Sequence, residues 1–246
     1  AALRETGELP RGDGADSHQQ GLTRDSFTEY FFEPTQPMVS QANEVRPERI
    51  PWGRVFHPRG TRTPDNRTRV VELTMPSEDI LRLARAEGVS VTSYLTALFF
   101  ESFRVAGLGK ARTLTASIPV NLRQFFPSTS ARNYFATIRV AHAYYYGEEE
   151  IGELCRSLEK QLRAKAAPAA LERKVRRLVR FERNLALRLV PRPVKDIVLG
   201  WINWGNNRGL SVAMSNMGQV VLPDPAEFQV QGMQFNVAAV RPQFAV

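Results

Sequence analysis

Apolar residues recur along this chain at two different periods, and the changes of period mark its elements. Ile151, Leu154, Cys155, Leu158 and Leu162 stand at i, i+3, i+4, i+7 and i+11, the stripe of an amphipathic helix. Leu171, Val175, Leu178, Leu185 and Leu189 continue helical spacing after Pro168; Pro191 and Pro193 interrupt it, and Val194 to Trp204 takes it up again. Residues 148 to 204 therefore read as helical. Upstream, Ser77 is placed to cap a helix running to about Glu87, with Glu78 and Asp79 in its first turn and Gly88 to end it. Thr92 is placed to cap the next helix, Ser93 to Val105, with Leu95, Leu98, Phe99 and Ser102 as its core face. Period-two or β-branched and aromatic runs predict strands at Arg69 to Met75 (Val71 and Leu73 on one face), Leu114 to Val120, Tyr134 to Tyr145, Leu210 to Ser215, Gln219 to Leu222 and Phe228 to Val237.

Strands and helices interleave without an internal repeat, so the predicted class is mixed α/β: a mixed sheet with flanking helices. Residues 8 to 66 are different. They are rich in Pro, Gly, Asp, Ser and Arg, with turn signals at Gly12-Asp13-Gly14 and Thr63-Pro64-Asp65-Asn66. So long a loop more often bridges two subdomains than decorates one. The amphipathic piece Ser26 to Phe32 interrupts it, and Trp52, Val55 and Phe56 suggest that its end docks on something apolar. Ala1 to Gly7 reads as the last turns of a helix, and Gln243 to Val246 as strand, so both ends look interior to a longer chain, although trimming predicts the same ends. The division expected is 1–66, a helix end and linker, and 67–246, a subdomain incomplete at its C-terminus.

Composition narrows the classes. With 43% hydrophobic and 24% charged residues over 246 positions, the chain can bury a core and is not a disordered polymer. No apolar run approaches the ~18 residues of a membrane span, no signal-peptide grammar opens the sequence, and a single cysteine fits a reducing compartment, so a cytoplasmic location is expected. The net charge of +8 is local. Between Arg156 and Lys195 lie thirteen Lys and Arg against Glu159, Glu172 and Glu182, an excess of ten that leaves the rest near neutral. Such a patch suits nucleic acid, acidic lipid or an anionic cofactor such as coenzyme A; it equally suits a solvated helix face. No zinc-finger, RNA-recognition or helix-turn-helix signature accompanies it, which leaves specific nucleic-acid binding the weaker reading.

Catalytic chemistry is sparse. His18 lies in a polar loop, His57 precedes Pro58, and His142 falls in a strand; none has Asp or Glu four residues on. No metal-ligand spacing, Gly-x-Ser-x-Gly or phosphate loop appears, so the chain offers no catalytic acid, base, nucleophile or metal set. Its most unusual stretch is Ser117-Ile118-Pro119-Val120-Asn121-Leu122-Arg123-Gln124-Phe125-Phe126-Pro127, followed by Ala131-Arg132-Asn133-Tyr134-Phe135. Arg123, ringed by apolar neighbours at a strand end, is expected to meet a buried carboxylate.

That stretch resembles the C-terminal half of the chloramphenicol acetyltransferase-like superfamily, which includes alcohol acetyltransferases and the condensation domains of peptide synthetases. Asp25-Ser26-Phe27 with Tyr30, Gly88-Val89-Ser90-Val91-Thr92-Ser93-Tyr94-Leu95-Thr96-Ala97, and Ser215-Asn216-Met217-Gly218-Gln219-Val220-Val221-Leu222-Pro223 resemble further stretches of the family in the same order, over roughly residues 22 to 237. The resemblance implies one half of a two-subdomain fold and acyl transfer from acyl-coenzyme A, or an acyl-pantetheine carrier, to a small alcohol or amine. A His-His-x-x-x-Asp-Gly motif would supply the general base, and it is absent here; the chain alone is expected to be inactive, with the missing N-terminal subdomain as its partner. On the same resemblance Arg123 would hold the histidine loop through the motif Asp, with Asn121 beside it. Ser215 and Asn216 would face the tunnel as candidate carbonyl-polarising or acceptor-orienting groups, unless Asn216 and Gly218 simply make a tight turn. A non-catalytic binding or regulatory module of this fold, and a nucleic-acid binder through helices 156–195, are the alternatives.

Overall fold

The computed structural model describes Phe31 and residues 55–58, 64–65, 71–107, 113–126, 133–144, 150–182, 191–216, 218 and 243–245. Its elements are α1 (Ser77–Ala86), α2 (Val91–Val105), β1 (Thr113–Asn121), a 3-10 turn (Leu122–Gln124), β2 (Phe135–Ala143), α3 (Ile151–Ala166), α4 (Pro168–Glu182), α5 (Arg192–Arg208), β3 (Val212–Ser215) and β4 (Gln243–Ala245). The expectations placed on Ala1 to Gly7, most of 8–66, His18, Trp52, Leu185, Leu189, 219–222 and 228–237 lie outside the described residues.

The described strands form one mixed sheet in the order β2-β1-β3-β4. β1 and β2 pair antiparallel from Thr113↔Ala143 to Asn121↔Phe135, whereas β3 runs parallel to β1 and β4 parallel to β3. Register sorts the side chains into two faces. Leu114, Ala116 and Ile118 share one with Ala136, Ile138, Val140, Val212 and Met214, and all eight are buried. α2 and α3 cover that face, α2 through Ala97 and Phe100 and α3 through Leu154, Cys155 and Leu158. Thr137, Arg139, Ser117, Pro119 and Ser215 belong to the opposite, more polar face.

β2 is an edge strand, and α3 and α4 close its edge. Residues 137, 139 and 141 turn their backbone groups away from β1. Gln161 pairs with Ala141 in both directions, accepting from its N–H at 3.1 Å and donating to its carbonyl at 2.8 Å. Lys165 Nζ donates to the Arg139 carbonyl at 2.7 Å, and Lys174 Nζ donates to the Thr137 carbonyl. Polar helix side chains thus occupy the groups that would otherwise template a foreign strand.

A buried carboxylate ties α3 to α2. Glu159 Oε2 accepts from the Ser90 N–H (3.1 Å) and hydroxyl (2.6 Å), and Oε1 accepts from Arg163 Nε at 2.5 Å. Ser90 in turn caps α2, its Oγ accepting from the Ser93 N–H at 3.3 Å. Burial opposes the charge, but the donors from Ser90, Arg163 and Ser93 outweigh it and hold the Glu159 carboxyl at about 2.

Several sequence expectations need correction. α1 starts after Pro76, so Ser77 is its first residue and no side chain caps it. Ser90, not Thr92, caps α2. Leu98 and Ser102 are exposed; the buried face of α2 runs through Ser93, Thr96, Ala97 and Phe100. In α4 Val179 is buried and Leu178 is 57% exposed, one residue off the expected stripe. Val71 and Leu73 do share the exposure of 71–76 but belong to no strand, because no described strand lies alongside to take up their backbone groups. The stripe from Ile151 to Leu162 and the strands around 114–120 and 134–145 form as expected. Val55, buried, bridges Thr113, and Phe56 stacks edge-on with Phe103 at 5.7 Å, which docks the linker's end.

Two stability outcomes follow. Gln161→Leu leaves the Ala141 N–H and C=O without their partner and is expected to cost about 1–3 kcal/mol, read as a lowered denaturation midpoint at unchanged slope. For Glu159 the sign is that of a depressed carboxyl: its contribution is complete above the ordinary value of 4.5 and is lost as pH falls towards 2. Glu159→Gln should therefore be less stable by about 1–3 kcal/mol near neutral pH, and the gap to the parent should close on acidification; a gap constant down to pH about 2 would contradict the assignment.

Candidate functional site

A proline decides where the sheet opens. Odd-numbered residues of β1 direct their backbone groups towards β3: the Thr115 carbonyl accepts from the Ser211 N–H at 3.0 Å, and the paired residues run through Ala116↔Val212 and Ser117↔Ala213. The next donor in that direction would be residue 119, which is proline and has none. The β1–β3 ladder ends there. Beyond it, at the C-terminal ends of two parallel strands, lie the residues singled out in the sequence, in the position where open α/β sheets hold ligands.

From β1, Asn121 closes the strand. Its Oδ1 accepts from the Arg123 N–H at 3.0 Å and so caps the 3-10 turn, while Leu122, fully buried, anchors the turn and donates its N–H to the Tyr134 carbonyl at 3.1 Å. Arg123 is exposed, with its guanidinium 5.8 Å from the Tyr134 ring centre. This corrects the expected burial: the 3-10 turn buries Leu122 and sends its neighbour outwards. Beneath the turn Phe126 meets Phe31 edge-on at 5.0 Å, and Arg176 Nη1 donates to the Phe31 carbonyl at 2.8 Å. Phe31 thus packs at this end of the sheet.

From β3, Ser215 is half-buried on the polar face and Asn216 follows it. Asn216 Oδ1 accepts from the Gly218 N–H at 2.7 Å, closing a turn whose glycine has φ +65°, a backbone state that costs other residues about 1 kcal/mol. Asn216 Nδ2 donates to Thr92 Oγ1 at 3.1 Å. Thr92, expected as a cap, is instead the residue that joins this turn to the first turn of α2. Three stretches distant in sequence therefore lie towards one end of the sheet: Asn121 to Arg123 closing β1, Ser215 and Asn216 closing β3, and the start of α2, which is bonded to Asn216. Ser90 and Glu159, which hold that helix start, carried no sequence signal, because a capping serine and a distant glutamate become partners only through the fold.

The described histidines are elsewhere. His57 Nδ1 stands 3.3 Å from the Leu210 carbonyl, one residue beyond the Phe56–Thr113 hydrogen bond, and His142 pairs in register with Leu114. Both mark the start of β1, eight residues and so about 26 Å along the strand from Asn121. Cys155 is buried, and burial first, then the Glu87 carboxylate, pushes its thiol up to about 11, which makes it a core residue rather than a nucleophile. Among the described residues no cluster of His, Cys, Asp and Glu has metal-binding geometry, and no helix is long and apolar enough to cross a membrane.

Five cations of the basic stretch are committed to the fold. Lys165 and Lys174 close the β2 edge, Arg163 pairs with Glu159, Arg176 with Glu172 at 2.8 Å, and Arg156 reaches Glu87 at 3.7 Å. Burial, followed by the charges of Arg139, Arg177 and Lys165, lowers the Lys174 pKa.

No family model matches the chain, and no curated protein sequence matches it. One similar solved structure is that of polyketide synthase associated protein 5 from Mycobacterium tuberculosis, at 15% identity and a TM-score of 0.35. The alignment covers 56% of this chain and 31% of that one, too distant a likeness to carry an argument about fold or activity.

The Asn216–Thr92 bond gives a direct test of this assembly. Asn216→Ala and Thr92→Ala should each destabilise the protein, and the double variant by less than their sum, with a coupling of about 0.5–1 kcal/mol in denaturant titrations. Strict additivity would separate the turn from the helix.

Proposed function

We propose that this chain is the supporting half of an acyltransferase of the chloramphenicol acetyltransferase-like superfamily, one that transfers an acyl group from coenzyme A or a pantetheine carrier to a small alcohol or amine. The observation that carries the reading is convergence. The Asn-Leu-Arg strand end, the Ser-Asn-x-Gly turn and the helix pair before them carry the sequence resemblance, and all three lie towards the C-terminal end of β1 and β3.

In this reading the chain's contribution is architectural. By the resemblance, Arg123, exposed at the strand end, would pair with the aspartate of a His-His-x-x-x-Asp-Gly loop supplied from outside residues 1–246, and Asn121 caps the turn that carries it. Ser215 and Asn216 close β3 beyond the point where its pairing with β1 ends. Asn216 already spends its oxygen on Gly218 and its nitrogen on Thr92, which favours a turn-shaping role for it and leaves the Ser215 hydroxyl as the group available to a substrate carbonyl or acceptor. A general base with near-neutral pKa would come with the histidine loop. The alternative of a nucleic-acid binder has less support, since at least five cations of the 156–195 stretch serve internal pairs and carbonyls. A non-catalytic module of the same fold differs from the leading reading only in lacking the histidine loop.

The experiment is to extend the open reading frame upstream of Ala1 and assay both products for release of free coenzyme A from acetyl-coenzyme A with simple alcohols. The longer product, carrying His-His-x-x-x-Asp-Gly, should be active and should lose at least about a hundredfold in rate on Arg123→Ala, while residues 1–246 alone should be inactive. Transfer by the 246-residue chain alone, or an upstream frame without the motif, would refute the proposal.

A further inference from the structure

α5 combines two properties that seldom coexist on a folded surface. Projected at about 100° per residue, Trp204, Ile197, Trp201, Val194, Val198 and Ile202 fall within an arc of about 160°, which Arg208 and Gly205 enter only in the last turn, while Lys195, Asn206, Asn203, Asp196 and Asn207 occupy the other side, with Leu199 the one large apolar residue among them. Amphipathic helices of globular proteins turn such an arc inwards. Here it faces solvent: Trp201 is 76% exposed, Trp204 61% and Ile197 58%. α5 packs extensively against no other described element. It is attached near its C-terminal end, where Gly205 is buried and the Asn206 carbonyl accepts from Arg139 Nη2 at 3.1 Å.

We propose that α5 is a membrane-surface helix, lying in the interface of an anionic lipid bilayer with the Trp201–Trp204 arc among the upper acyl chains. Length rules out spanning: seventeen residues make about 25 Å, and no described helix is apolar enough to cross. An in-plane helix needs a wide apolar arc, aromatic residues that tolerate the headgroup boundary, and cations near that arc. α5 has all three. The indole rings of Trp201 and Trp204 suit the boundary because one edge is polar and the body apolar. Lys195 stands in the first turn and Arg208 in the last, against the single acid Asp196, and the Arg208 guanidinium lies 4.3 Å from the Trp204 ring centre. The charge is complementary to anionic headgroups. A protein groove or a second copy would satisfy the apolar arc, but neither calls for cations at both ends. The inference is independent of acyl transfer, since it rests on α5 alone.

The test is flotation of the 246-residue chain with vesicles of phosphatidylcholine and phosphatidylglycerol in equal parts, and with pure phosphatidylcholine. The chain should float with the anionic vesicles, and Trp201→Glu/Trp204→Glu should weaken that binding at least about tenfold with an unchanged far-ultraviolet circular dichroism spectrum. In a Trp52→Phe background, where emission comes from Trp201 and Trp204, adding anionic vesicles should shift the spectrum to the blue. Absence of flotation, flotation that survives the double substitution, or a concentration-dependent blue shift without lipid accompanied by dimer mass would each overturn the proposal, the last in favour of a second copy.

Discussion

The ionised Glu159 carboxylate is the constraint through which the described elements are held in relation to one another. An unpaired charge at that depth would cost several kcal/mol, so the helix start that supplies its donors cannot move far from α3. Ser90 is held from both sides: its amide and hydroxyl serve Glu159 while its oxygen caps α2. Because Thr92 lies two residues further along, in the first turn of the same helix, the carboxylate also fixes the receptor for Asn216. On the opposite flank of α3, Gln161 and Lys165 hold the β2 edge. Leu154, Cys155 and Leu158 supply the apolar contact between these two polar attachments. Apolar burial is non-directional and would permit small rotations of α3; the two sets of hydrogen bonds do not.

Pro119 acts in the other direction, by removing a bond. A central strand normally pairs on both sides along its length, and proline there is tolerated only where no donor is required. β1 meets this condition because its even-numbered residues serve β2, and its pairing with β3 ends at Ser117↔Ala213. The consequence is a gap at the carboxyl ends of parallel strands, bordered by a turn capped by Asn121 and another closed by Asn216. Both asparagines use the same device, a side-chain oxygen accepting a backbone N–H two residues on. Each rim is thereby closed by a local bond that does not depend on the strand ladder.

How far the sequence revealed this architecture varied with the range of the forces involved. The α3 stripe was legible because five apolar residues at helical spacing overdetermine a face, and β1 and β2 because β-branched and aromatic runs flank turn residues. Where one residue decided the matter, local signals were insufficient. Thr92 and Ser90 are equally good caps in isolation, and Glu159, 69 residues beyond Ser90, selects between them. Val179 is buried in place of Leu178 because the rotation of α4 is set by what it packs against rather than by its own hydrophobicity. Val71 and Leu73 alternate as a strand should, yet alternation specifies a face and not a partner. For Arg123 the apolar neighbourhood in sequence belonged to Leu122 and Phe126, which turn inwards in its place. Of the site, the stretches were legible and their contacts were not: the Asn216–Thr92 bond spans 124 positions and leaves no trace in spacing.

Charge shows the same limit from another side. An excess of ten over forty positions reads as an interaction surface, but a count does not distinguish cations spent on the fold from cations offered to a partner. Lys174 is the clearest case of the former. Its ammonium is drawn below its ordinary pKa by burial and by three cationic neighbours, and it is retained because the Thr137 carbonyl needs a donor. Lys165 serves the Arg139 carbonyl in the same way, so the positive charge of α3 and α4 is in part the chemistry of closing a sheet edge. α5 differs: it carries fewer charges, and they flank exposed aromatic rings instead of answering backbone groups. The sparsely charged helix that follows the basic stretch is therefore the element whose chemistry points outwards.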